Sequence, residues 1–391
     1  MENMIGAKAL MVALEKQGVK EVFGLPGGAN LPMYDELFKS NIRHILVRHE
    51  QSAAHMADGY GRVSRKAGVC FATSGPGATN IVTGIATAQA DSAPMIAVTG
   101  QVPVKMIGKD AFQESDIIGM SNPCVKYAFQ PRDSSEIPEA VQKGFYIAET
   151  GRPGPVLIDV PKDVQQNEGQ MHFPEEFKIR GYHPWTDPDV VNVERAIKML
   201  LSAEKPIILA GGGTIISSAF AELQTIAELL MIPVVTTFKG KGAFPENHPL
   251  ALGPIGMHGH AEANKLMTEA DCVLAIGTRF SDRSVGTFED FEKRLKIIHM
   301  DVDPAEIGRN QTTAVAVVGD VRASLRIMVK LLMQQTAKKT EENTWLKHVK
   351  EVKEYWRENL KLPEGEMTAA KILRKLLEVL PHEAITTTEV G

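Results

Sequence analysis

The sequence is poor in cysteine, with three in 391 residues. Cys70, Cys124 and Cys272 lie far apart and form no CxxC pair. Neither a disulfide framework nor a structural zinc site is expected, and a reducing, cytoplasmic compartment fits. Long apolar runs are also missing. No stretch approaches the roughly 18 residues of a membrane span. MENMIGAKAL has no basic segment leading into an apolar one, so no signal peptide is expected. Positive charge is not in excess: 43 Lys and Arg against 48 Asp and Glu leave a net charge of −5. With no basic stripe, nucleic acid is not an expected partner. His55, His258 and His260 lack partner carboxylates at metal-ligand spacing, so no metal ligands are assigned, and no Ser or Cys triad is visible.

What is there is ordinary globular composition, 43% hydrophobic and 23% charged. A chain of 391 residues exceeds what one core usually serves, which points to two or three domains. Residues 1–162 alternate between short apolar strands and helical spacing. Strands fit Val19–Leu25, Ile42–Val47, Val69–Thr73, Met95–Thr99 and Val156–Val160. Helices fit Ala7–Leu14, Leu31–Phe38, Glu50–Val63, Ala78–Ala90 and Glu136–Thr150. Unbroken apolar strands between helices predict a parallel α/β sheet covered on both faces. Residues 163–190 are polar and Pro-punctuated and read as a linker.

A second α/β unit follows over 191–335. Its strands fit Ile207–Ala210, Val234–Thr237, Val273–Ile276, Ile297–Asp301 and Val315–Val318. Its helices fit Val193–Leu201, Ser218–Leu230, His260–Ala270 and Arg322–Met333. The fold class is therefore two consecutive doubly wound parallel-sheet domains. Residues 336–365 read as an amphipathic connecting helix, and 366–391, with a helix at Met367–Leu380 and a strand at Ala384–Thr388, as the start of a third unit. No short-period repeat is present.

Several segments allow both a structural and a chemical reading. FATSGPGATN, Phe71–Asn80, is a Gly-rich turn opening a helix; it can connect strand to helix or offer N–H groups to a ligand. Asn80 stands where a dinucleotide fingerprint would place its last glycine. Gly211-Gly212-Gly213 is either a permissive turn or a close backbone approach to a nucleotide. Glu50, in VRHEQSAAH, suits a first helical turn on electrostatic grounds alone. It would also stand at the carboxyl edge of a parallel sheet, where ligands of open α/β sheets bind. Arg279, Asp282 and Arg283 could clamp a phosphate or carboxylate, or pair at the surface. Gly319-Asp320 only superficially matches a metal-diphosphate motif, since Val321 follows.

Together FGLPGGANLPMYDEL, RHEQSAAHMADGYGR, TSGPGATNIVTGIATAQADSAPMIAVTGQV, KDAFQESD, GRPGPVLIDVPKDV, GMHG, RFSDR and MDVDPAEIGRN resemble the thiamine-diphosphate-dependent enzymes. Within them the match narrows to the acetolactate synthase (acetohydroxyacid synthase) large-subunit family. The resemblance implies a pyrimidine-binding domain, a central domain that carries FAD in many members, and a third domain for diphosphate and Mg²⁺ that is missing beyond ITTTEVG. It implies that Glu50 hydrogen-bonds the pyrimidine N1′ of thiamine diphosphate and favours the imino tautomer, whose nitrogen takes the proton from thiazolium C2. The thiazolium then serves as electron sink when pyruvate loses CO₂, before addition to a second 2-keto acid. Gly27 and Gly28 would face the reacting centre, and Pro76 and Asn80 would line the cofactor. Phe112 and Gln113 would line the substrate pocket, and Arg283 would receive the second keto acid's carboxylate. Gly211, Gly212, Gly213, Met257, His258, Arg279 and Asp301 would contact FAD.

The resemblance also implies a homodimer or homotetramer, a possible small regulatory subunit, and an isolated chain that is inactive. Some positions depart from the family pattern: Ser281, Asn122, Arg132, Lys239 and Lys241. They bear on FAD affinity more than on thiamine chemistry. Rival readings are another thiamine enzyme (a 2-keto acid decarboxylase, glyoxylate carboligase or pyruvate oxidase) and a non-catalytic nucleotide-binding module. Glu50 counts against glyoxylate carboligase, whose family has Val there. Product analysis separates the other enzymes, and cofactor titration separates the module.

Overall fold

The computed structural model describes residues 2–174, 176–184, 187–285, 295–335, 343–359, 367–381 and 383–387. The chain divides into two compact units, Met1–Asp187 and Pro188–Gly391.

The first unit contains strands β1 (Glu2–Ile5), β2 (Glu21–Gly24), β3 (Arg43–Leu46), β4 (Gly68–Ala72), β5 (Met95–Gln101), β6 (Tyr127–Phe129), β7 (Pro155–Pro161) and β8 (Glu168–Met171). Six of them form one parallel sheet in the order β3-β2-β4-β5-β7-β6. β4, β5 and β7 are buried along their whole length, which is why they read as predominantly apolar runs. Side chains still alternate between faces. Val69 and Phe71 pack with Leu10, Leu14, Val141 and Phe145 from the helices Gly6–Lys16 and Ile137–Glu149. Cys70 and Ala72 pack with Ala53, Ala54 and Ile85 from the helices Glu50–Ser64 and Val82–Asp91 on the other side. Arg62 ties those two helices together, with Asp58 at 2.8 Å and Asp91 at 2.6 Å.

The first unit departs from the sequence expectation in two places. The helix expected at Ala78–Ala90 is two helices, Pro76–Asn80 and Val82–Asp91, joined at Ile81. Part of the interval read as linker is structured: Lys162–Gln166 is helical, and β8 pairs antiparallel with β1, Glu2 opposite Met171. EGQM has no apolar alternation to announce a strand; its order comes from the backbone bonds to β1.

The second unit holds β9 (Pro206–Ala210), β10 (Val234–Thr236), β11 (Ala251–Pro254), β12 (Cys272–Ile276), β13 (Lys296–Asp301) and β14 (Val315–Val318). All pair in parallel in the order β11-β10-β9-β12-β13-β14. β11 was not foreseen; it is an edge strand whose register slips between Val234 and Val235. Helix Thr344–Asn359 buries Trp345, Val349 and Val352 on this unit's core, and Trp345 Nε1 donates to the Pro206 carbonyl at 3.0 Å. Residues 336–342 and 360–365 of the expected connecting helix lie outside the described residues. Helix Ala369–Val379 buries no residue. Ala384–Thr387 do not form the expected strand, because among the described residues no strand lies beside them to take their backbone groups; Thr388 is outside the described set. Among the described residues no helix is long and apolar enough to cross a membrane.

In each sheet the strand that comes first in the chain lies inside it. β2 has β3 and β4 as neighbours, and β9 has β10 and β12. The chain reverses its direction of growth at these points, which leaves a crevice at the carboxyl ends of β2 and β4, and another at β9 and β12.

Candidate functional site

In the first unit, three connections meet at the β2–β4 crevice. After β2 the chain turns through Pro26-Gly27-Gly28. Fully buried Asn30 holds the turn, its Oδ1 accepting the Gly27 N–H at 2.7 Å, while the Ala29 N–H reaches Thr73 Oγ1 at 3.1 Å. A Cβ on Gly27 would lie 2.6 Å from Thr73 Cβ, so this approach requires glycine. Gly28 instead faces open space, and among the described residues nothing accepts its N–H.

Glu50 opens the helix that follows β3 and is 8% exposed. His49 caps that helix, its ring nitrogen accepting the Gln51 N–H at 3.2 Å. Glu50 Oε2 accepts from Asn80 Nδ2 at 2.9 Å. Oε1 lies over Gly77, where a Cβ would come within 3.2 Å, and no donor among the described residues reaches it. The carboxylate is thus held by one oxygen and open at the other, at a helix N-terminus that favours negative charge. Tyr34 lies below: burial, then the Cys70 and Glu50 charges, push its phenol up, and its buried Oη has no partner among the described residues.

The rim is residues 108–116. The Glu114 carboxylate accepts N–H groups from Gly108, Ala111 (2.9 Å) and Lys109 (3.3 Å), and these bonds hold it below the usual carboxylate range. Gln113 adopts φ +56° and its backbone lies against Gly75, where a Cβ would be 2.6 Å from the Gln113 oxygen. Phe112 stands 88% exposed beside it. Pro76 is exposed at the start of its helix.

In the second unit, Gly211 and Gly213 press against Gly277 past the end of β12, with Cβ positions 2.2 Å from its oxygen and 2.6 Å from its Cα. This close packing explains both glycines before any ligand is considered. Gly212 lies by Lys239, 3.3 Å from Cβ to Cβ, and Lys241 pairs with Glu246. Thr236 Oγ1, at the carboxyl end of β10, is buried without a partner among the described residues. Arg279, Met257 and His258 are exposed. Arg283 is 72% exposed, 3.8 Å from Asp282, with a guanidinium nitrogen 3.7 Å from Met257 Sδ. Asp301 is mostly buried, and its Oδ1 accepts the Asp303 N–H at 2.9 Å. Asp320 caps helix Val321–Gln335 through the Ala323 N–H at 2.9 Å, so Gly319-Asp320 ends a strand and starts a helix. Among the described residues no three His, Cys, Asp or Glu cluster to hold a metal.

Residues 4–120 match the family of the thiamine pyrophosphate enzyme N-terminal TPP binding domain, and residues 193–328 that of the thiamine pyrophosphate enzyme central domain. The probable acetolactate synthase large subunit of Methanocaldococcus jannaschii is 49% identical, over 99% of this chain and 67% of that protein. The acetolactate synthase large subunits of Parasynechococcus marenigrum and Corynebacterium glutamicum are 45% and 43% identical over 100% of this chain, and 64% and 63% of their own lengths. The chain belongs to the acetolactate synthase large-subunit family of thiamine pyrophosphate enzymes. It spans about two thirds of the length of these relatives.

The two units thus carry the family's N-terminal and central domains, each an α/β parallel sheet. Glu50, Asn80, Gly27, Gly28, Pro76, Phe112 and Gln113 all fall in the first unit, and the remaining candidates in the second. Sequence reasoning missed Asn30, Thr73 and Tyr34, which build the Glu50 surroundings. It also missed the buried Asp159 and Gln101 and the half-buried Gln130, polar residues toward the carboxyl ends of β7, β5 and β6. Polar residues inside otherwise apolar strands, as in VLIDV and IAVTGQV, were the available signal.

Proposed function

We propose that this chain is the pyrimidine-binding and central part of an acetolactate synthase catalytic subunit, which joins pyruvate to a second 2-keto acid in branched-chain amino acid biosynthesis. The observation that carries the proposal is Glu50, fixed by Asn80 through one oxygen and open at the other, in the crevice of the first sheet. Thiamine diphosphate, when bound, supplies the electron sink for loss of CO₂ from the keto acid. The residues fit its aminopyrimidine. Gly77 clears the space over Glu50 Oε1, and that oxygen would exchange a proton with a ring nitrogen. Among the described residues nothing claims the Gly28 N–H, and open space lies before it, as an oxyanion donor requires. Phe112 and Gln113 stand at the rim to shape the keto-acid pocket, and Pro76 closes its cofactor side.

The second unit's crevice suits a dinucleotide such as FAD. Gly211–Gly213 lie at the switch point, and Thr236 Oγ1, without a partner among the described residues, offers a polar contact at the same edge. Met257, His258, Arg279 and Asp301 would add contacts, and the exposed Arg283 would take a carboxylate. Mg²⁺ and the diphosphate would be held by residues outside this sequence. The active unit would be a cytoplasmic homodimer or homotetramer, with a small regulatory subunit as a further partner.

The test is acetolactate formation from pyruvate, with thiamine diphosphate, Mg²⁺ and FAD present. It compares the 391-residue chain with the chain extended to its relatives' length. The extended enzyme forms acetolactate and the 391-residue chain does not. Acetaldehyde or acetyl phosphate from the extended enzyme would assign another thiamine reaction. Flavin binding without Mg²⁺-dependent thiamine diphosphate binding would leave a nucleotide-binding module.

A further inference from the structure

The carboxyl end of β7 holds a carboxylate with no task in the chemistry above. Asp159 is fully buried. It stands opposite Thr99 in the β5–β7 ladder. It accepts from Thr99 Oγ1 at 2.6 Å, from Gln130 Nε2 at 2.9 Å and from Gln101 Nε2 at 3.1 Å. Thr99 and Gln101 end β5, and Gln130 follows β6, so one side chain gathers three strand ends. Burial pushes the Asp159 carboxyl up to about 6 despite the three donors, and the Asp116 charge adds to the rise.

An apolar side chain would fill this space without the cost of burying a charge. What it could not do is orient an amide. Gln101 could face either way, but the Asp159 carboxylate accepts only, so Nε2 must point at it. In that orientation the same Nε2 also donates to the Ser115 carbonyl at 2.9 Å, and Oε1 is left to accept the Val102 N–H at 2.9 Å. Ser115 lies near the end of the rim, two residues after Gln113. The rim's opposite side rests on Gly75, and Glu114 ties its interior. The rim is therefore held at Gly75, at Glu114 and at Ser115, and the hold at Ser115 depends on which way Gln101 faces.

We infer that Asp159 is a positioning residue: by setting the direction of the Gln101 amide it anchors the Ser115 carbonyl and so holds Phe112 and Gln113 at the edge of the Glu50 crevice. The catalytic consequence rests on the acetolactate synthase reading; the structural half does not.

Hydrogen exchange of the 391-residue chain tests the structural half through the peptide covering 108–116. Asp159→Leu removes the acceptor. Gln101→Met keeps the side-chain length and removes all three bonds of the amide, to Asp159, to the Ser115 carbonyl and from the Val102 N–H. Asp159→Asn is the rescue: the Thr99 hydroxyl can turn to accept from its Nδ2, leaving Oδ1 for Gln101 and Gln130. The first two variants speed exchange over 108–116 about tenfold or more, while Asp159→Asn stays near wild type and β4 is unchanged in all three. In the extended enzyme Gln101→Met raises the pyruvate KM about tenfold with a smaller change in kcat, and Asp159→Asn does not. Unchanged exchange over 108–116 in Gln101→Met overturns the inference. So does an Asp159→Asn variant that exchanges as fast as Gln101→Met. Should Asp159→Leu fail to fold, Gln101→Met decides, because it leaves Asp159 in place. A wild-type extended enzyme that makes no acetolactate would overturn the proposed function and leave the exchange result standing.

Discussion

The two units share a sheet architecture and differ in how their candidate residues are held. In the first unit Glu50 is 8% exposed and bonded to Asn80, and its neighbours are stapled through Asn30, Thr73 and Glu114. In the second, Arg283 is 72% exposed and Arg279, Met257 and His258 stand in solvent. The first crevice is organised before a ligand arrives, so changes there should strike the chemistry. The exposed side chains of the second are free to adapt, so changes to them should strike affinity alone.

The sharpest contrast is Glu50→Gln. In the extended enzyme it lowers acetolactate turnover at least about a hundredfold, because the amide cannot exchange the proton. The melting transition moves by less than about 1 kcal/mol, since the shape is kept. Near-normal turnover by this variant would erase the distinction between the units.

Backbone packing reverses the order of sensitivity. Gly211→Ala drives a Cβ into the Gly277 carbonyl and destabilises the second unit by about 1–3 kcal/mol, read by denaturation through buried Trp345. Gly28→Ala, facing open space, leaves the first unit's stability within about 0.5 kcal/mol. Equal losses from the two variants would contradict the packing described.

Buried titrating groups give the units opposite responses to acid. Asp159 is raised from 3.8 to about 6 by burial. Its folded form binds the proton more tightly than the unfolded chain does, so its contribution is fully present below pH 3.8 and is lost as pH rises through about 6. The whole effect is on the order of 3 kcal/mol. Asp159→Asn removes it, so the variant's stability relative to wild type rises between pH 4 and 8. Burial pushes His299 the other way, below its ordinary 6.5, against the Thr278 carbonyl bond that favours the charged ring. The second unit therefore loses stability as pH falls below about 6.5, and the Trp345 midpoint reports it. A midpoint that does not move between pH 7 and 5 would count against this account of His299.

The smallest effect on the fold belongs to Arg283→Ala. Stability stays within about 0.5 kcal/mol. In the extended enzyme the KM for the second keto acid rises while Glu50-dependent release of CO₂ from pyruvate is retained. Loss of both together would mean that Arg283 serves the first step.

β4, β5, β7, β9 and β12 were readable because a strand covered on both faces is apolar along most of its length. β6, β8 and β11 were not, being short edge strands with polar or Pro-flanked residues that take their order from a neighbour. The division of the 78–90 helix at Ile81 was also invisible, since the apolar spacing runs on across it. Glu50 and Asn80 could be named as candidates, but their bond spans 30 positions. Thr73 and Asp159 gave weaker signals still. Each is defined by partners 44 and 60 positions away, in Ala29 and Thr99.

The sequence by itself determined the central strands of the two parallel sheets, most of their covering helices and the presence of a carboxylate at the start of the third helix. Periodicity and apolar content are local and survive in one dimension. Only the tertiary structure decided that Asn80 takes one oxygen of Glu50 and leaves the other, that Gly211 is glycine because Gly277 lies against it, and that Asp159 orients Gln101. Those facts are distances between residues remote in the chain, and they exist only after burial has brought the strand ends together and obliged each polar group there to find a partner.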